Sequence, residues 1–447
     1  MIDQITLPKS NTLFVEQKIE YPQWLDSVNY HRECFVNNNA STWLLYCEDA
    51  FQFSVLFFAL LTANKKIILP QNGTTNQLHL CMALADGYAG NTKLNIENSI
   101  SFSASNNLPI KTPLTISPET EITLFTSGST GEAKAIEKTF QHLLTEVIQL
   151  EQCFGEKLAS STIVSTVSHQ HIYGLLVKLI WPIWLGRDVI LQPYEYPEHL
   201  CHDISKYHLH NITLISSPAH YHRLIKDNVY IDIKNKITAL FSSGGPLSES
   251  ASQQLKTELG QSPVEIYGST ETGGIAWRQK CNGKKSSWLP FSDINIAEEN
   301  ESQCLKIKSP YFKHQGWYIT DDQVQIATDG SFELLGRVDR IIKIEEKRVS
   351  LDHVQHCLKS LGYIDDAYCL TQQNKRGLQI VAVIVLTEEA KKALLNSRNL
   401  IFNRKIKSSL LSDLEVIAIP KKFRYLPSLP YNSSGKLNKV AMEKLFE

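Results

Sequence analysis

Short apolar runs alternate with stretches of helical spacing between residues 41 and 340. This alternation is typical of parallel β-sheets whose faces are covered by helices. The pattern therefore predicts an α/β fold, with a large amino-terminal domain built on such sheets. The runs predicted as strands are Trp43–Tyr46, Lys66–Leu69, Thr162–Val167, Val189–Leu191, Thr213–Ser216, Ala239–Ser242 and Val264–Tyr267.

The pattern changes after Ser286 to shorter strands joined by turns, and this β-rich segment ends near Asp339. Beyond it the spacing predicts a smaller α+β unit. Its predicted elements are a helix near Leu351–Leu361, strands near Ala367–Leu370 and Leu378–Leu386, and a helix across Arg398–Leu411. We therefore predict a large domain over residues 1–338 and a small, mobile carboxy-terminal domain over residues 339–447.

Length and composition indicate a globular protein of more than one domain. The chain has 447 residues, too many for one hydrophobic core, with 43% hydrophobic and 20% charged residues. The amino terminus lacks a signal-peptide pattern, and the longest apolar run, Phe53–Ala63, is too short to cross a bilayer. The sequence therefore predicts a cytoplasmic protein without stable membrane insertion.

Cysteines and charge exclude some classes of partner. The nine cysteines include no Cys-x-x-Cys pair, which argues against a disulfide framework or a zinc site. The net charge of -1 argues against a general nucleic-acid binder. Residues 339–447 nevertheless hold 19 Lys and Arg against 12 Asp and Glu, a surplus of +7. Such a lobe suits a phosphate-bearing or acidic partner, although a solvated lysine-rich surface explains it equally well.

A glycine- and hydroxyl-rich segment, residues 124–134, follows an apolar run at Ile122–Phe125. Its glycines allow close backbone approach, and its hydroxyls and lysine suit phosphate oxygens. It lacks the Gly-Lys-Ser/Thr of a Walker A motif, so an ordinary P-loop NTPase is excluded. Helical spacing from Phe140 to Leu150 predicts a loop between strand and helix. Taken alone, such a segment is also compatible with a solvated turn.

Four further segments pair glycines or hydroxyls with reactive groups, and loops that follow strands in α/β proteins are common ligand sites. A Gly-Gly turn leaves a slot for a flat ring, a carboxylate after a buried strand suits Mg²⁺, and an acidic strand end suits ribose hydroxyls. A lysine behind a flexible turn reaches out as a point charge. The segments are Ser242–Leu247, Glu265–Gly274, Trp317–Asp322 with Arg337 and Asp339, and Asn432–Lys436.

In this order and spacing, the five segments resemble the adenylate-forming superfamily. That superfamily includes acyl-CoA synthetases, aryl-CoA ligases, luciferases and the adenylation domains of peptide synthetases. The resemblance extends from about Trp43 to the carboxy terminus. The chain also looks like the compact acyl or aryl ligases of bacterial aryl-polyene pathways, because its phosphate loop begins near residue 125.

The resemblance implies that the chain binds ATP with Mg²⁺ and that its phosphate loop holds the β- and γ-phosphates. It further implies that Gly244, Gly245 and Pro246 line an adenine slot and that Tyr267, followed by Gly268, stacks on the base. The phosphate-loop residues are Thr126, Ser127, Gly128, Ser129, Thr130, Gly131 and Lys134.

The same resemblance implies roles closer to the chemistry. Asp322 is expected to bind the ribose hydroxyls with help from Arg337, Thr270 to contact the α-phosphate, and Glu271 to hold Mg²⁺. Lys436 corresponds to the catalytic lysine. The implied reaction converts a carboxylic acid, aromatic or of medium length, into acyl-AMP and pyrophosphate. The acyl group then passes to CoA or to the phosphopantetheine thiol of an acyl carrier protein.

Two residues depart from the family pattern. Asp321 stands where the signature has glycine, and Glu346 stands where the small domain presents a glycine to the thiol arm. Asp339 matches the family's hinge position. These substitutions keep two alternatives open: a catalytically degenerate ATP- or acyl-AMP-binding regulatory protein, and a ligase that stops at acyl-AMP or uses an amine.

His171 lies in a segment with two histidines, Ser168–Gly174. The resemblance implies that His171 gates the acyl pocket. The pair of histidines also fits a metal site or a packed core, but no third ligand has suitable spacing. The acyl pocket is further expected along Pro218–Tyr221 and Gly273–Trp277.

Overall fold

A computed structural model describes residues 4–91, 96, 98–103, 113–127, 133–158, 160–192, 194, 196–226, 233–280, 286–314, 316–344, 347–374, 377–395, 399–431 and 437–447. The chain forms two compact units, residues 1–295 with 308–316 and residues 296–307 with 317–447. The second unit thus includes strands before Asp339 that the sequence assigned to the large domain. The functional boundary at Asp339 stays a prediction.

Strands and helices alternate along the chain in the first unit, whereas the second unit begins with a run of strands before its first α-helix. The helices are α1 (Tyr21–Val36), α2 (Ala50–Thr62), α3 (Thr75–Met82), α4 (Phe140–Leu158), α5 (Ile172–Gly174), α6 (Trp181–Leu185), α7 (Pro197–Lys206), α8 (Pro218–Lys226), α9 (Glu249–Leu259), α10 (Leu351–Ser360), α11 (Glu388–Leu395), α12 (Asn399–Leu410) and α13 (Lys439–Glu443). A π-helix, Leu175–Ile180, joins α5 to α6, and short 3₁₀ turns lie at Lys234–Lys236, Val338–Arg340 and Lys444–Phe446.

Most strands are short. They are β1 (Ile5–Thr6), β2 (Leu13–Phe14), β3 (Ile19–Glu20), β4 (Thr42–Tyr46), β5 (Lys66–Leu69), β6 (Gly87–Gly90), β7 (Ser99–Ile100), β8 (Thr115–Ile116), β9 (Glu121–Ser127), β10 (Ala133–Thr139), β11 (Thr162–Ser165), β12 (Ile212–Ser216), β13 (Ile237–Ser242), β14 (Val264–Ser269), β15 (Gly273–Gln279), β16 (Leu289–Pro290), β17 (Asn295–Glu298), β18 (Cys304–Lys308), β19 (Tyr318–Ile326), β20 (Phe332–Arg337), β21 (Ile341–Ile344), β22 (Lys347–Ser350), β23 (Ile364–Asn374), β24 (Gly377–Leu386) and β25 (Lys422–Tyr425).

The first sheet has the strand order β10-β9-β5-β4-β6-β7, in which only β10 runs antiparallel to its neighbour. Helix α2 packs against it with every residue buried except Gln52. A helix that is apolar on all sides belongs in a protein interior, and Asp49 starts this one by accepting the Gln52 amide at 2.8 Å. Among the described residues, no helix combines the length and apolar content needed to span a membrane.

The second sheet has the order β11-β12-β13-β14-β15-β16. Strands β11 to β14 are parallel, and β14 turns back into β15 as an antiparallel hairpin. The carboxyl ends of the four parallel strands therefore share one edge. This edge positions the Gly-Gly turn after β13 and the glycine-rich turn after β14.

The second unit is an α+β assembly. Strands β18, β19 and β20 are antiparallel within a four-stranded sheet that also includes β17, and β21 pairs with β22 in a hairpin. Helices α10 and α12 pack their apolar faces on the sheet β23-β24-β25 around fully buried Val354, Leu358 and Ile406. The predicted fold class, parallel α/β sheets with a smaller α+β part, is confirmed.

One local prediction is incomplete and another is wrong. The helix predicted from Phe140 to Leu150 is confirmed as the first part of α4, but the strand β10, which the sequence did not predict, lies between the phosphate loop and this helix. Val189 makes isolated bridges to Phe14 and Ile163, and no strand forms at Val189–Leu191. Only Val189 of this segment forms a bridge to each of the two neighbouring strands, and a β-strand requires at least two consecutive bridged residues.

Candidate active site

An antiparallel hairpin, β9 and β10, carries both ends of the predicted phosphate loop. Its ladder pairs Thr126 with Lys134, and the Thr126 hydroxyl lies 3.5 Å from the Lys134 carbonyl oxygen. Residues on directly paired positions share one face of a hairpin, so these two side chains lie on the same side. The loop residues predicted to bind phosphate, Gly128, Ser129, Thr130 and Gly131, lie outside the described residues.

The Lys134 ammonium also reaches the turn after β14. Its Nζ lies 3.2 Å from Oε1 of Glu271, and both side chains are partly exposed. Burial alone raises the pKa of Glu271, but backbone hydrogen bonding and the Lys134 and Ser269 side chains outweigh it and lower that pKa. The structure thus brings together two predicted residues, 137 positions apart, as an ionised pair.

The turn that presents Glu271 is tightly built. A Cβ at Gly268 would lie 2.2 Å from the Gly273 carbonyl oxygen, so only glycine fits there. The buried Thr272 hydroxyl accepts the Ser269 amide at 3.0 Å, which closes the turn. Thr270, predicted to contact the α-phosphate, lies half-buried between these anchors.

The Gly-Gly turn after β13 leaves open space beside its backbone. Gly244 has a φ of +86°, and no described heavy atom outside its chain neighbours lies within 4 Å of the position a Cβ would take. Gly245 and Pro246 are exposed, as a ligand slot requires. The Ser243 hydroxyl donates to the Ile266 carbonyl oxygen at 2.9 Å, which holds this turn beside β14.

A buried ion-pair network also fastens this turn, and the sequence did not predict it. Glu265 on β14 accepts two hydrogen bonds from Arg278 at 3.0 Å and one from the Leu247 amide at 3.2 Å. Lys280 lies 3.4 Å from the same carboxylate. The only sequence signal was the placement of Glu265 inside an otherwise apolar strand.

Tyr267 has an aromatic neighbour that sequence analysis missed. Its ring centroid lies 5.4 Å from that of buried Trp288, at an interplanar angle of 48°. The Arg278 guanidinium lies 4.1 Å from the centroid of the same Trp288 ring. Trp288 therefore supports one side of Tyr267.

His171 is half-buried and precedes α5, where its carbonyl oxygen accepts the Leu175 amide at 2.8 Å. Its neighbour His169 is a core residue: it packs 4.6 Å from the Phe53 ring, and its Nε2 lies 2.9 Å from the Cys47 carbonyl oxygen. Burial lowers the pKa of His169 to about 3. Within the described part of the chain, no group of three or more His, Cys, Asp or Glu side chains is arranged to hold a metal.

The ribose-binding candidates lie in the second unit. Asp322 on β19 pairs in register with Arg337 on β20, and their side chains are 3.3 Å apart. Asp339 holds the same guanidinium at 2.9 and 3.1 Å, and exposed Asp321 approaches it at 3.2 Å. Asp321 therefore adds a carboxylate to this cluster without displacing Asp322. Lys436 and Glu346 lie outside the described residues.

The family follows from comparison with known proteins. The AMP-binding enzyme model matches residues 37–322. The chain belongs to the AMP-binding enzyme family. The matched range contains the loop, the Gly-Gly turn, the Glu271 turn and Asp322.

Individual relatives are distant. A probable CoA ligase, CCL5 of Humulus lupulus, is 25% identical over 365 residues, with 73% of this chain and 64% of that protein covered. The 3-hydroxybenzoate/4-hydroxybenzoate–CoA ligase of Thauera aromatica is 21% identical over 356 residues, covering 72% and 66%. The chain thus spans less than two thirds of the length of these curated relatives.

A solved structure extends the likeness of the fold. ATP-bound MatB from Rhodopseudomonas palustris superposes with a TM-score of 0.79 at 16% identity, over 100% of this chain and 97% of that one. At this identity the likeness establishes the fold.

Proposed function

We propose that this protein is an AMP-forming acid:thiol ligase. It converts a carboxylic acid and ATP into acyl-AMP and pyrophosphate, and then passes the acyl group to a thiol. The observation that carries the proposal is the pairing of Lys134 with Glu271 at 3.2 Å, because it joins the phosphate loop to the turn after β14. Membership of the AMP-binding enzyme family supports the same conclusion.

In the first half-reaction, a carboxylate oxygen bonds to the α-phosphorus of ATP and the bond to the bridging oxygen breaks. Pyrophosphate leaves with that electron pair. The barrier comes mainly from repulsion and misalignment between anions, so positioned cations and donors supply most of the catalysis. In this proposal Thr126 and Lys134 hold the departing pyrophosphate, Thr270 contacts the α-phosphate, and Lys436 neutralises charge at the reacting centre.

Glu271 fits a magnesium site. Its partly exposed carboxylate faces a cation, the Lys134 ammonium, and a single carboxylate beside substrate phosphates is a usual Mg²⁺ environment. When bound there, Mg²⁺ would neutralise charge on the phosphate oxygens. The turn anchored by Ser269 and Thr272 fixes the carboxylate for this purpose.

We assign nucleotide recognition to two sets of residues, one in each unit. The open backbone at Gly244, Gly245 and Pro246 would admit the adenine ring, and Tyr267, supported by Trp288, would cover one face of it. Asp322, held by Arg337 in the second unit, would accept the ribose hydroxyls.

In the second half-reaction, a thiol sulfur bonds to the acyl carbon while the bond to AMP breaks, and the thiol proton passes to solvent. We propose CoA or a phosphopantetheine-bearing acyl carrier protein as the acceptor. The surplus positive charge of residues 339–447 favours either acidic partner.

We propose an aromatic or medium-length acid as the substrate, which agrees with the hydroxybenzoate ligase among the relatives. A compact aryl-polyene ligase would combine these properties, with His171 beside the acyl group.

ATP–pyrophosphate exchange tests the first half-reaction. A panel of benzoate, hydroxybenzoates, 4-coumarate and octanoate is offered with ATP and Mg²⁺, and at least one acid should support exchange. Lys436→Ala should reduce exchange at least about 1,000-fold while ATP binding persists, whereas the exposed-lysine control Lys444→Ala should match the wild type. Unchanged exchange in Lys436→Ala refutes the assignment.

Product analysis tests the acceptor. Mass spectrometry after incubation with CoA, with holo carrier protein, with an amine or with none of these identifies where the acyl group goes. ATP binding without exchange for any acid would instead support a regulatory ATP-binding protein.

A further inference from the structure

Lys138 on β10 is a buried lysine with two main-chain partners. Its side chain has no exposed surface, and its Nζ donates to the Glu271 carbonyl oxygen at 3.1 Å and to the Tyr311 carbonyl oxygen at 2.8 Å. A buried ammonium is unfavourable unless its hydrogen bonds are satisfied. The two carbonyl oxygens supply these hydrogen bonds to the Lys138 ammonium, and one of them belongs to Glu271, whose carboxylate is the proposed magnesium ligand.

Glu146 on α4 is a second buried charge beside the same turn. Its Oε1 accepts the Gly274 amide at 2.7 Å, and its Oε2 has no hydrogen-bond partner among the described residues. Burial raises the pKa of Glu146, while attraction to Lys138 opposes that rise. A Cβ at Gly273 would lie 2.7 Å from Oε2, so this carboxylate packs directly against the turn.

The two side chains hold opposite ends of one short segment. Lys138 holds the carbonyl of Glu271, and Glu146 holds the amide of Gly274. Both contacts are to the main chain, so they fix the path of the turn whatever ligand its side chains bind. Since side chains alternate along a strand, Lys134 and Lys138 lie on the same face of β10. This strand therefore contacts Glu271 twice, once at its carboxylate and once at its carbonyl.

We propose that Lys138 and Glu146 are positioning residues that fix the Glu271 carboxylate for the pyrophosphate end of MgATP. The inference rests on the proposed function. Neither residue touches the nucleotide in this arrangement. They act through the main chain of the turn, as residues behind a metal ligand commonly orient it.

The chain offers a matched control for Lys138→Met. Lys65 also donates to two main-chain carbonyl oxygens, those of Asn38 and Ala40, both at 2.8 Å. These partners lie beside the first sheet and not in the Glu271 turn. Lys65→Met therefore removes the same kind of contact without affecting the turn.

Hydrogen exchange of the ligand-free protein tests the mechanical part of the proposal without any need for activity. Amides of residues 270–274 should exchange at least about tenfold faster in Lys138→Met than in the wild type or in Lys65→Met. Equal exchange in the two variants overturns the proposal. A wild type that fails to catalyse pyrophosphate exchange would count against the proposed function alone.

Nucleotide affinity tests the functional part. In Lys138→Met the KM for MgATP should rise about 10- to 100-fold, with the KM for the acid unchanged. Lys138→Met/Glu146→Gln removes both buried charges and keeps an oxygen for the Gly274 amide. It should recover thermal stability while the raised KM for MgATP remains. Recovery of both properties together would assign Lys138 a purely structural role and overturn the proposal.

Discussion

Glu265 allows a quantitative test of how the Gly-Gly turn after β13 is held. Its side chain is 3% exposed, and those of its partners Arg278 and Lys280 are 17% and 10% exposed. Glu265→Gln keeps the shape of the side chain but removes the carboxylate that both cations contact. Removing one partner of a buried ion pair typically costs about 3–5 kcal/mol.

We expect the lower end of this range, about 3 kcal/mol, for two reasons. The amide oxygen of glutamine can still accept the Leu247 N–H, and burial already lowers the pKa of Lys280. Loss of the attraction of Glu265 lowers that pKa further, which limits the cost of leaving the Lys280 ammonium without this partner. A loss of this size lowers the melting temperature by roughly 6–12 °C in a domain of 150–250 residues, and by less in a larger unit.

Urea unfolding followed by tryptophan fluorescence measures this loss. Six of the seven tryptophans lie in the first unit, so the signal reports mainly on that unit. The control is Glu137→Gln, whose carboxylate is 68% exposed and 3.3 Å from Lys313. An exposed pair should contribute about 0–1 kcal/mol. Equal losses in the two variants would refute the assigned importance of the Glu265 network.

Three further outcomes are expected. Burial lowers the pKa of His169 to about 3, so between pH ~6.5 and that value only the unfolded chain binds a proton at this histidine. As the pH falls from 6 to 4, the free energy of unfolding should therefore decrease by about 1.4 kcal/mol per pH unit through His169. His169→Gln should reduce this pH dependence when unfolding in urea is measured at each pH. Gly268→Ala should lower the melting temperature, because its Cβ would lie 2.2 Å from the Gly273 carbonyl oxygen. Gly245→Ala meets nothing closer than Pro218 at 3.9 Å and should keep its melting temperature but weaken ATP binding in calorimetry.

Apolar runs made much of the first unit predictable from the sequence. Strands β4, β12 and β13 are mostly apolar and largely buried, which is the character of strands inside parallel sheets. The spacing of the five motifs identified the family, which the match over residues 37–322 confirms. It also named Lys134 and Glu271, which the fold brings into contact.

The features that were missed depend on tertiary packing. Strand β10 reads Ala-Lys-Ala-Ile-Glu-Lys-Thr, and its three charges hide a strand that its pairing with β9 stabilises. Lys138 and Glu146 belong to residue types that are normally exposed. Nothing local reveals that their partners are main-chain groups more than a hundred residues away. For the same reason, the support of Tyr267 by Trp288 becomes visible only once β14 and the segment near β16 are folded together.

The π-helix at Leu175–Ile180 has a consequence for how this protein can diverge. Its main-chain hydrogen bonds join residues five apart instead of four. The segment therefore contains one residue more than an α-helix would use to connect α5 to α6. Deleting a single residue there can be accommodated by a return to α-helical bonding, with α5 and α6 kept in place. Such a deletion would turn a different set of side chains toward the segment that contains His171. In the proposed function, where His171 lies beside the acyl group, single-codon deletions at this point offer a route to altered acid preference that leaves the Gly-Gly turn and the Glu271 turn unchanged.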